Sequence, residues 1–245
     1  MRKFGLIGFP LSHSFSPAFF LEKFAKEKIT GCTYGLYPID KIDKFPGLLS
    51  ANADLEGINV TIPYKKAVIP FLNHATEAVA KTGACNCIKI KNGYLTGYNT
   101  DVIGFEESLS SKLTNKHTHA LILGTGGSAA AVEFVLEKLG IDYLFVSRIA
   151  TAKNKIVTYK DLNKQVMHQR PLLINTTPLG MFPDVNNCPD IPYRFLTSDH
   201  YLFDLVYNPA ETLFLKKGAA MGAITKNGSD MLVIQAEESW KIWNE

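Results

Sequence analysis

Short apolar runs alternate with longer segments of helical period in the first part of this chain. Apolar runs at residues 4–9, 33–37 and 57–61 predict strands, whereas residues 17–28 and 42–49 predict helices. Strands that alternate with helices are typical of an α/β fold with a parallel sheet. We therefore expect an α/β architecture from the amino-terminal residues onward.

The pattern changes after residue 61. Pro63 suits the first turn of another helix, which would carry Lys65. Residues 85–90 and 94–98 then predict two strands joined by Lys91, Asn92 and Gly93, and an Asn-Gly turn between such runs is a hairpin signal. Because a hairpin is antiparallel, the first sheet is expected to be mixed.

A helical segment at 102–113 leads to a polar stretch at 114–119, and this composition shift predicts a domain boundary. The chain then predicts a doubly wound unit, with strands at 120–123, 143–147, 172–175 and 201–205 and helices at 129–139, 159–167 and 212–221. The last segment carries Leu232, Ala236, Trp240 and Trp243 on one helical stripe. We expect a first domain of residues 1–101 joined by a returning helix at 229–245, and a second domain of residues 102–228.

Composition narrows the class of protein. The chain has 245 residues, is 46% hydrophobic and 20% charged, and carries a formal net charge of +3, which excludes a disordered chain and does not favour nucleic acid. No apolar run approaches the roughly 20 residues of a membrane helix. The 4 cysteines, at positions 32, 85, 87 and 188, indicate neither a disulfide framework nor a metal site. We expect a cytoplasmic protein, monomeric or homodimeric, whose partner is a small molecule.

The clearest chemical signal is a glycine loop between a predicted strand and a predicted helix. Gly124, Gly126 and Ala129 fill the G-x-G-x-x-G/A pattern, in which the first glycine permits a tight turn and the second lets the backbone approach a pyrophosphate. The small third residue allows close packing of the helix on the strand. The predicted dinucleotide contacts are Gly124, Thr125, Gly126, Gly127, Ser128 and Ala129.

The end of the next strand favours NADP over NAD. No carboxylate stands there to bind the ribose hydroxyls, whereas Arg148 has the planar fork that pairs with a 2′-phosphate. Lys153 and Lys155 add positive charge nearby in the sequence. A solvated basic loop is the alternative interpretation.

Two serines precede the first predicted helix. Ser16 stands before Pro17, so it is either a helix cap or a ligand, whereas Ser14 is harder to explain as a cap. A pair of hydroxyls at a helix N-terminus is well suited to a carboxylate, because the dipole and the free amides favour an anion.

Further polar residues cluster near the end of the third predicted strand. Asn59 and Thr61 share one strand face, and Lys65 follows closely. Asp101 precedes an apolar helix, where Thr100 or Asp101 could serve as a cap. These residues are either local structure or parts of a small-ligand site.

Several strings of the sequence match one family: residues 10–17, 59–65, 83–86, 97–104, the glycine loop, 175–181 and 204–209. Taken together and in this order, they resemble the shikimate dehydrogenase family over nearly the whole chain. The resemblance implies reversible NADPH-dependent reduction of 3-dehydroshikimate to shikimate, a step of aromatic amino-acid biosynthesis. It also implies a Rossmann-type second domain and hydride transfer across an interdomain cleft.

The resemblance implies roles for single residues. Lys65 would be the catalytic acid/base, paired with Asp101. The substrate would be bound by Ser14 and Ser16 at its carboxylate, by Thr61, Asn86 and Asp101 at its hydroxyls with Asn59 in support, and by Tyr207 and Gln235. Thr176, Leu205 and Gly228 would flank the nicotinamide.

One departure from the family keeps an alternative open. The family usually has Asn-Arg-Thr where this chain has Ser147, Arg148 and Ile149. A quinate/shikimate dehydrogenase that uses NAD is therefore an alternative. A non-catalytic sensor of dinucleotide or shikimate is another, but it would be expected to lack Lys65, which is present.

Overall fold

Two sheets organise the part of the chain that the structure, a computed structural model, describes: residues 1–12, 14–149 and 155–245. The chain divides into unit 1, Met1–Gly104 with Leu232–Glu245, and unit 2, Phe105–Met231. Neither boundary is a loop, because the divisions fall within a helix in both cases.

Unit 1 alternates strands and helices and then forms a hairpin. In chain order it has β1 (Arg2–Gly8), α1 (Phe15–Lys26), β2 (Cys32–Pro38), α2 (Phe45–Ala51), β3 (Leu55–Val60), β4 (His74–Ala75), α3 (Glu77–Thr82), β5 (Cys87–Lys91), β6 (Tyr94–Tyr98) and the start of α4 (Thr100–Ser110). The strand order is β2-β1-β3-β5-β6-β4, in which β1 runs parallel to β2 and β3, whereas β5 is antiparallel to β3 and β6. The prediction of a mixed sheet is confirmed.

The β5–β6 hairpin has the predicted turn chemistry. Asn92 and Gly93 have φ angles of 53° and 76°. Two successive positive φ angles are the mark of a type I′ turn, whose twist matches that of the strands it joins.

Unit 2 is a doubly wound parallel unit, as the sequence predicts. It contains the rest of α4, β7 (His119–Leu123), α5 (Gly127–Lys138), β8 (Asp142–Ser147), β9 (Ile156–Thr158), α6 (Lys164–Gln169), β10 (Leu172–Asn175), β11 (Tyr201–Asp204), α7 (Leu213–Ala220), β12 (Ile224–Asn227) and the start of α8 (Ser229–Asn244). The strand order is β12-β11-β10-β7-β8-β9, with all neighbours parallel. The order of connection reverses between β7 and β10, the place where such sheets bind ligands.

The last helix packs on the sheet of unit 1 through aromatic side chains. Trp243 stacks on Phe4 at a centroid distance of 4.9 Å, and its indole N–H donates to the carbonyl of Ile88 at 3.1 Å. A Cβ at Gly57 on β3 would lie 2.4 Å from Trp243 Nε1. Glycine at position 57 is therefore what allows this close approach.

Two predicted features near the first strands are wrong. Helix α1 begins at Phe15, so its N-cap is Ser14, and Ser16 lies inside the first turn. The predicted helix after Pro63 is absent: turns lead to a short 3₁₀ helix at Ile69–Phe71. Pro70 has no N–H to donate to a preceding carbonyl, so an α-helix could not continue through it without loss of a hydrogen bond.

The predicted helix at 159–167 is two elements in the structure. A 3₁₀ helix at Tyr159–Asp161 is held by a capping box with Thr158, and the Asn163 side chain then caps α6 by accepting from the N–H of Val166 at 3.1 Å. Each cap starts a new helix, which explains the interruption. The short elements β4, α3, β9 and β12 were not predicted.

No helix of the described residues has the length and apolar character needed to cross a bilayer.

The polar stretch before β7 is less exposed than its composition indicates. His117 is only 3% exposed, its Nδ1 accepts from the N–H of Thr114 at 3.0 Å, and its Nε2 lies 3.2 Å from the carbonyl of Asp199. His200 repeats this arrangement with Thr197. Burial lowers the pKa of both histidines.

These histidines make the stability of unit 2 dependent on pH. An unfolded histidine takes up a proton near pH 6.5, about its ordinary pKa, whereas the buried neutral form takes it up only at lower pH. Their contribution is therefore complete above about pH 6.5 and is lost as the pH falls below it, by up to about 1.4 kcal/mol per pH unit for each histidine. In urea unfolding from about pH 8 to about pH 5, we expect His117→Gln to flatten this dependence.

The exposed neighbour His119 offers a matched control. His119→Gln should retain the slope of the unchanged chain. An unaltered slope in the His117 variant would contradict the assignment.

Candidate functional site

The centre of the candidate site in unit 1 is an ion pair. Lys65 Nζ donates to Asp101 Oδ2 at 2.7 Å, and the two side chains are 34% and 24% exposed. Lys65 comes from the turns after β3, and Asp101 from the first turn of α4. An ammonium in this position can both give a proton to an oxygen and stabilise negative charge there.

Asn86 fixes the start of the helix that carries Asp101. Its Oδ1 accepts from the backbone N–H of Thr100 at 2.7 Å, and its Nδ2 donates to the Thr100 hydroxyl at 3.0 Å. Its backbone carbonyl accepts from the N–H of Val60 at 2.8 Å, which joins this turn to β3. Asn86 thus links the strand before Lys65 to the helix of Asp101.

The side chain of Asn59 is occupied by other protein groups. Its Nδ2 donates to the Asn86 carbonyl at 3.3 Å and to the Ser239 hydroxyl at 2.9 Å, and its Oδ1 accepts from the Tyr34 hydroxyl at 2.9 Å. Both amide hydrogens are therefore used within the protein. Asn59 is placed to support neighbouring groups rather than to donate to a ligand.

The two serines of α1 differ in their surroundings. Ser14, the N-cap, makes no side-chain cap bond, and the first turn of α1 holds no acidic residue. The Ser16 side chain lies near the Tyr34 hydroxyl, and burial raises the pKa of that hydroxyl. Through Tyr34 and Asn59, Ser16 is connected to the groups around the ion pair.

The remaining predicted substrate residues are divided between the units. Thr61 follows β3, with its Cγ2 against Gly8. Gln235 lies on α8 in unit 1, and its Oε1 is 3.5 Å from the Thr100 hydroxyl. Tyr207 is 45% exposed and belongs to unit 2. Unit 1 therefore holds every predicted substrate residue except Tyr207.

Sequence reasoning missed Tyr34 and Ser239. The fully buried Ser239 hydroxyl donates to the carbonyl of Gln235 at 2.9 Å and lies 3.3 Å from the Thr100 hydroxyl. The available signal was its position four residues after Gln235, on the same helix face. Tyr34 had no comparable signal, because its partners are distant in the sequence.

The glycine loop of unit 2 connects β7 to α5. Gly124 has a φ of +109°, and a Cβ there would lie 2.8 Å from Thr176 Oγ1, so the fold itself requires glycine. Gly126 is the N-cap of α5 with a φ of −80°, and a Cβ there would meet no described atom within 4 Å. The fold gives no reason for glycine at 126, which is the position that a close ligand would require.

The start of α5 is open to an anion. Thr125, Gly126, Gly127 and Ser128 are all exposed, the N-cap makes no side-chain bond, and the first turn has no acidic residue. The backbone N–H groups there are therefore available to an anion. Ala129 is buried at 2% exposure and allows close packing of the helix. This donor set fits a pyrophosphate.

Three other predicted cofactor residues lie beside the carboxyl ends of the strands. The Thr176 hydroxyl donates to the Leu123 carbonyl at 2.9 Å, which holds the segment after β10 against β7. Leu205 follows β11, and a Cβ at Gly228 would lie 2.6 Å from its carbonyl oxygen. Glycine at 228 thus permits a close backbone contact.

Arg148 is exposed just after β8, near Tyr159. Lys155 does not add to its charge as the sequence indicates. The Lys155 ammonium lies 3.8 Å from Asp142 and 4.2 Å from the Tyr143 ring centre, at the opposite end of β8. The carboxylate of Asp142 attracts the Lys155 ammonium and holds it away from Arg148. Lys153 lies outside the described residues.

Comparison with known proteins gives consistent matches. The family model of the shikimate dehydrogenase substrate binding domain matches residues 6–88. Shikimate dehydrogenase (NADP(+)) of Halothermothrix orenii is 36% identical, over 98% of this chain and 89% of its own length.

Solved structures match over the whole chain. A chorismate mutase/shikimate 5-dehydrogenase fusion protein from Clostridium acetobutylicum has a TM-score of 0.87 and 34% identity, covering 100% of this chain and 91% of that one. Shikimate 5-dehydrogenase from Thermus thermophilus, in complex with NADP(H) and shikimate, has a TM-score of 0.85 and 28% identity, covering 99% of this chain and 93% of that one.

The two glycines of the loop should respond differently to substitution. Gly124→Ala should lower the free energy of unfolding by about 1–3 kcal/mol, because alanine is strained at positive φ and would contact Thr176. Gly126→Ala should cost less, about 0.5 kcal/mol, because alanine meets no atom there and is only a poorer N-cap than glycine. Thermal and urea unfolding measure both, and equal losses would contradict the geometry.

Proposed function

The chain belongs to the shikimate dehydrogenase family, and from this premise we propose that it reduces 3-dehydroshikimate to shikimate reversibly with NADPH. The observation that carries the proposal is the Lys65–Asp101 ion pair at 2.7 Å, partly exposed beside a buried polar network in unit 1. Relatives named shikimate dehydrogenase (NADP(+)) and a relative crystallised with NADP(H) and shikimate support the substrate and the cofactor.

Lys65 acts as the general acid in the reductive direction. When a ketone is reduced, negative charge develops on its oxygen, and the Lys65 ammonium stabilises that charge and donates the proton. Asp101 directs one N–H of the ammonium and stabilises its positive charge. In the oxidative direction the neutral amine takes the proton back.

The substrate is bound by hydroxyl and amide groups, mainly of unit 1. Ser14 and Ser16 bind its carboxylate at the start of α1, where helix amides favour an anion. The ring hydroxyls are bound by Thr61, Asn86 and Asp101, with Gln235 and Tyr207 completing the contacts. Asn59 supports Asn86 and does not itself donate to the substrate, because both of its amide hydrogens are already used within the protein.

The residues of unit 2 fit NADP. Gly124, Thr125, Gly126, Gly127, Ser128 and Ala129 hold the pyrophosphate, Arg148 holds the 2′-phosphate, and Thr176, Leu205 and Gly228 lie on the nicotinamide side. The bound cofactor supplies the hydride. The contribution of this chain is to bind and orient both ligands and to hold the proton at Lys65 Nζ.

One observation keeps a second function under consideration, a quinate/shikimate dehydrogenase that uses NAD. Ile149 is 73% exposed beside Arg148, and its side chain cannot donate a hydrogen bond to a phosphate. Of these two side chains, only that of Arg148 can therefore donate hydrogen bonds to a 2′-phosphate. A non-catalytic sensor is disfavoured, since such a protein would not need the Lys65–Asp101 pair.

Removing the ammonium tests the proposed mechanism. We expect Lys65→Ala to lower kcat for shikimate oxidation with NADP⁺ by a factor on the order of 10²–10⁴, because the acid/base group is lost. The KM for shikimate should change much less. Initial rates of NADPH formation measure both constants, with quinate assayed in parallel to decide between the two substrates.

Lys66 supplies the control, since it is exposed and adjacent in the sequence. Lys66→Ala should retain kcat within about twofold. Near-normal turnover in the Lys65 variant would remove Lys65 from the role of acid/base. Absence of turnover with either nicotinamide cofactor in the unchanged protein would overturn the proposed function.

Arg148 tests the choice of cofactor. Loss of a hydrogen bond to a charged group removes about 1.5–3 kcal/mol of binding, so Arg148→Ala should raise the KM for NADP⁺ by about 10–100-fold. The KM for NAD⁺, which lacks the 2′-phosphate, should stay nearly constant. Arg194→Ala, at another exposed site of unit 2, is the control. Equal losses for the two cofactors would contradict the assigned contact.

A further inference from the structure

A buried carboxylate without a cationic partner lies at the end of β11. Asp204 is fully buried, and within the described ranges of the chain no lysine, arginine or histidine forms an ion pair with it. A buried charge of this kind is costly unless hydrogen bonds compensate it. None of the proposed proton or ligand contacts uses Asp204, so the presence of a carboxylate at this buried position needs another explanation.

Three neutral donors surround this carboxylate. Asp204 Oδ2 accepts from the Thr212 hydroxyl at 2.6 Å, and Oδ1 accepts from Asn175 Nδ2 at 2.9 Å and from the backbone N–H of Val206 at 3.0 Å. The donors belong to the end of β10, to the segment after β11 and to the N-cap of α7. One side chain therefore joins three separate segments.

Two of the proposed site residues flank one of these donors. Val206 lies between Leu205 and Tyr207, so the hydrogen bond from its N–H fixes the backbone at both neighbours. The Thr212 bond fixes the far end of the same segment. Asp204 thus holds the segment of residues 205–212 at two points, one of which is adjacent to Tyr207.

The network continues to the glycine loop. Asn175, held by Asp204, accepts at its Oδ1 from the Thr177 N–H at 3.0 Å and from the Thr177 hydroxyl at 2.7 Å. A Cβ at Gly124 would lie 2.8 Å from Thr177 Cγ2. The segment that carries Thr176 is therefore held between Asn175 and the glycine loop.

We propose that Asp204 is a positioning residue, whose ionised carboxylate holds residues 205–212 and 175–177 so that Tyr207 meets the substrate and Leu205 and Thr176 meet the nicotinamide. The proposal rests on the proposed function for the roles of those three residues. Ionisation matters because all three neighbours are donors. A protonated acid or an amide accepts these hydrogen bonds more weakly, because bonds to an ionised group are about twice as strong as neutral ones, and the Thr212 hydroxyl would have to turn from donor to acceptor.

Titration of this group connects the network to pH. Burial raises the pKa of Asp204 to about 6, although its three hydrogen bonds act in the opposite direction. The groups that face it from β10 and α7 are the neutral side chains of Asn175 and Thr212, and a nearby titratable group is Tyr193, whose own pKa is raised mainly by burial. Asp204 is therefore the group of this network that changes charge in the mildly acidic range.

The test compares Asp204→Asn with the unchanged full-length chain. Without ligands, we expect hydrogen exchange of residues 205–212 to be about tenfold faster in the variant, because the uncharged amide accepts more weakly from the Val206 N–H than the carboxylate does. With shikimate and NADP⁺, we expect both KM values to rise by about tenfold or more. The acid limb of kcat/KM near pH 6, about the pKa of Asp204, should be present in the unchanged protein and absent in the variant.

A second pair of variants applies if Asp204→Asn does not fold. Thr212→Val removes one donor to the carboxylate and also the cap bond to the Leu215 N–H, whereas Thr212→Ser retains both bonds and should restore slow exchange and low KM. Ile174→Val, at a fully buried position of β10 outside the network, is the control for a general loss of stability. It should leave the KM values and the pH profile unchanged.

The outcomes separate the positioning role from the proposed function. If Asp204→Asn, or Thr212→Val in its place, matches Ile174→Val in exchange, KM values and pH profile, the positioning role is overturned. If the unchanged protein shows no turnover of shikimate, the proposed function fails. Faster exchange confined to residues 205–212 in the variant would then still support the role of Asp204 in holding this segment.

Discussion

The polar centre of unit 1 depends on the buried amide of Asn59, because such a group must find its hydrogen bonds inside the protein. Asn59 lies on β3, and its partners come from β2, from the segment before β5 and from the last helix. Satisfying one side chain therefore brings together parts of the chain that are up to 180 residues apart. The approach of Trp243 to Gly57 acts in the same direction, since it fixes the same helix on the same strand.

The ion pair of Lys65 and Asp101 follows from this arrangement. Asn86 accepts from the N–H of Thr100, so the first turn of α4 presents Asp101 toward the turns that carry Lys65. The N–H of Cys85 donates to the carbonyl of Lys65 at 2.7 Å, which holds the backbone of those turns. The pair is thus placed by backbone contacts of its neighbours rather than by its mutual attraction alone, which is small for partly exposed charges.

Sequence alone predicts the features whose physics is local. The glycine loop, the Asn92-Gly93 hairpin and the parallel order of unit 2 depend on neighbouring residues or on short-range alternation, and all three are present. Ordered motifs also identify the family. The helix expected after Pro63 is replaced by turns and a short 3₁₀ helix, and Pro70 prevents an α-helix from continuing beyond that point.

Features that depend on distant partners could not be predicted in this way. His117 is buried because the carbonyl of Asp199, 82 residues later, receives its Nε2–H. Lys155 points away from Arg148 because Asp142 attracts its ammonium. Tyr34 becomes part of the candidate site through its contact with Asn59. In each case the deciding partner lies on another element, and no periodicity of the chain reveals it.

The two units handle buried or partly buried charge in different ways. In unit 1, a carboxylate and an ammonium share the ion pair, and each remains partly exposed to solvent, as the proposed proton transfer from Lys65 requires. In unit 2, Asp204 has only neutral donors, whose directions are set by three segments. A flexible cation could follow a displaced carboxylate and keep most of its attraction, whereas fixed neutral donors lose their bonds steeply with distance and angle. Neutral donors therefore specify geometry more strictly than a counter-ion would, which suits a carboxylate that holds a segment in one conformation.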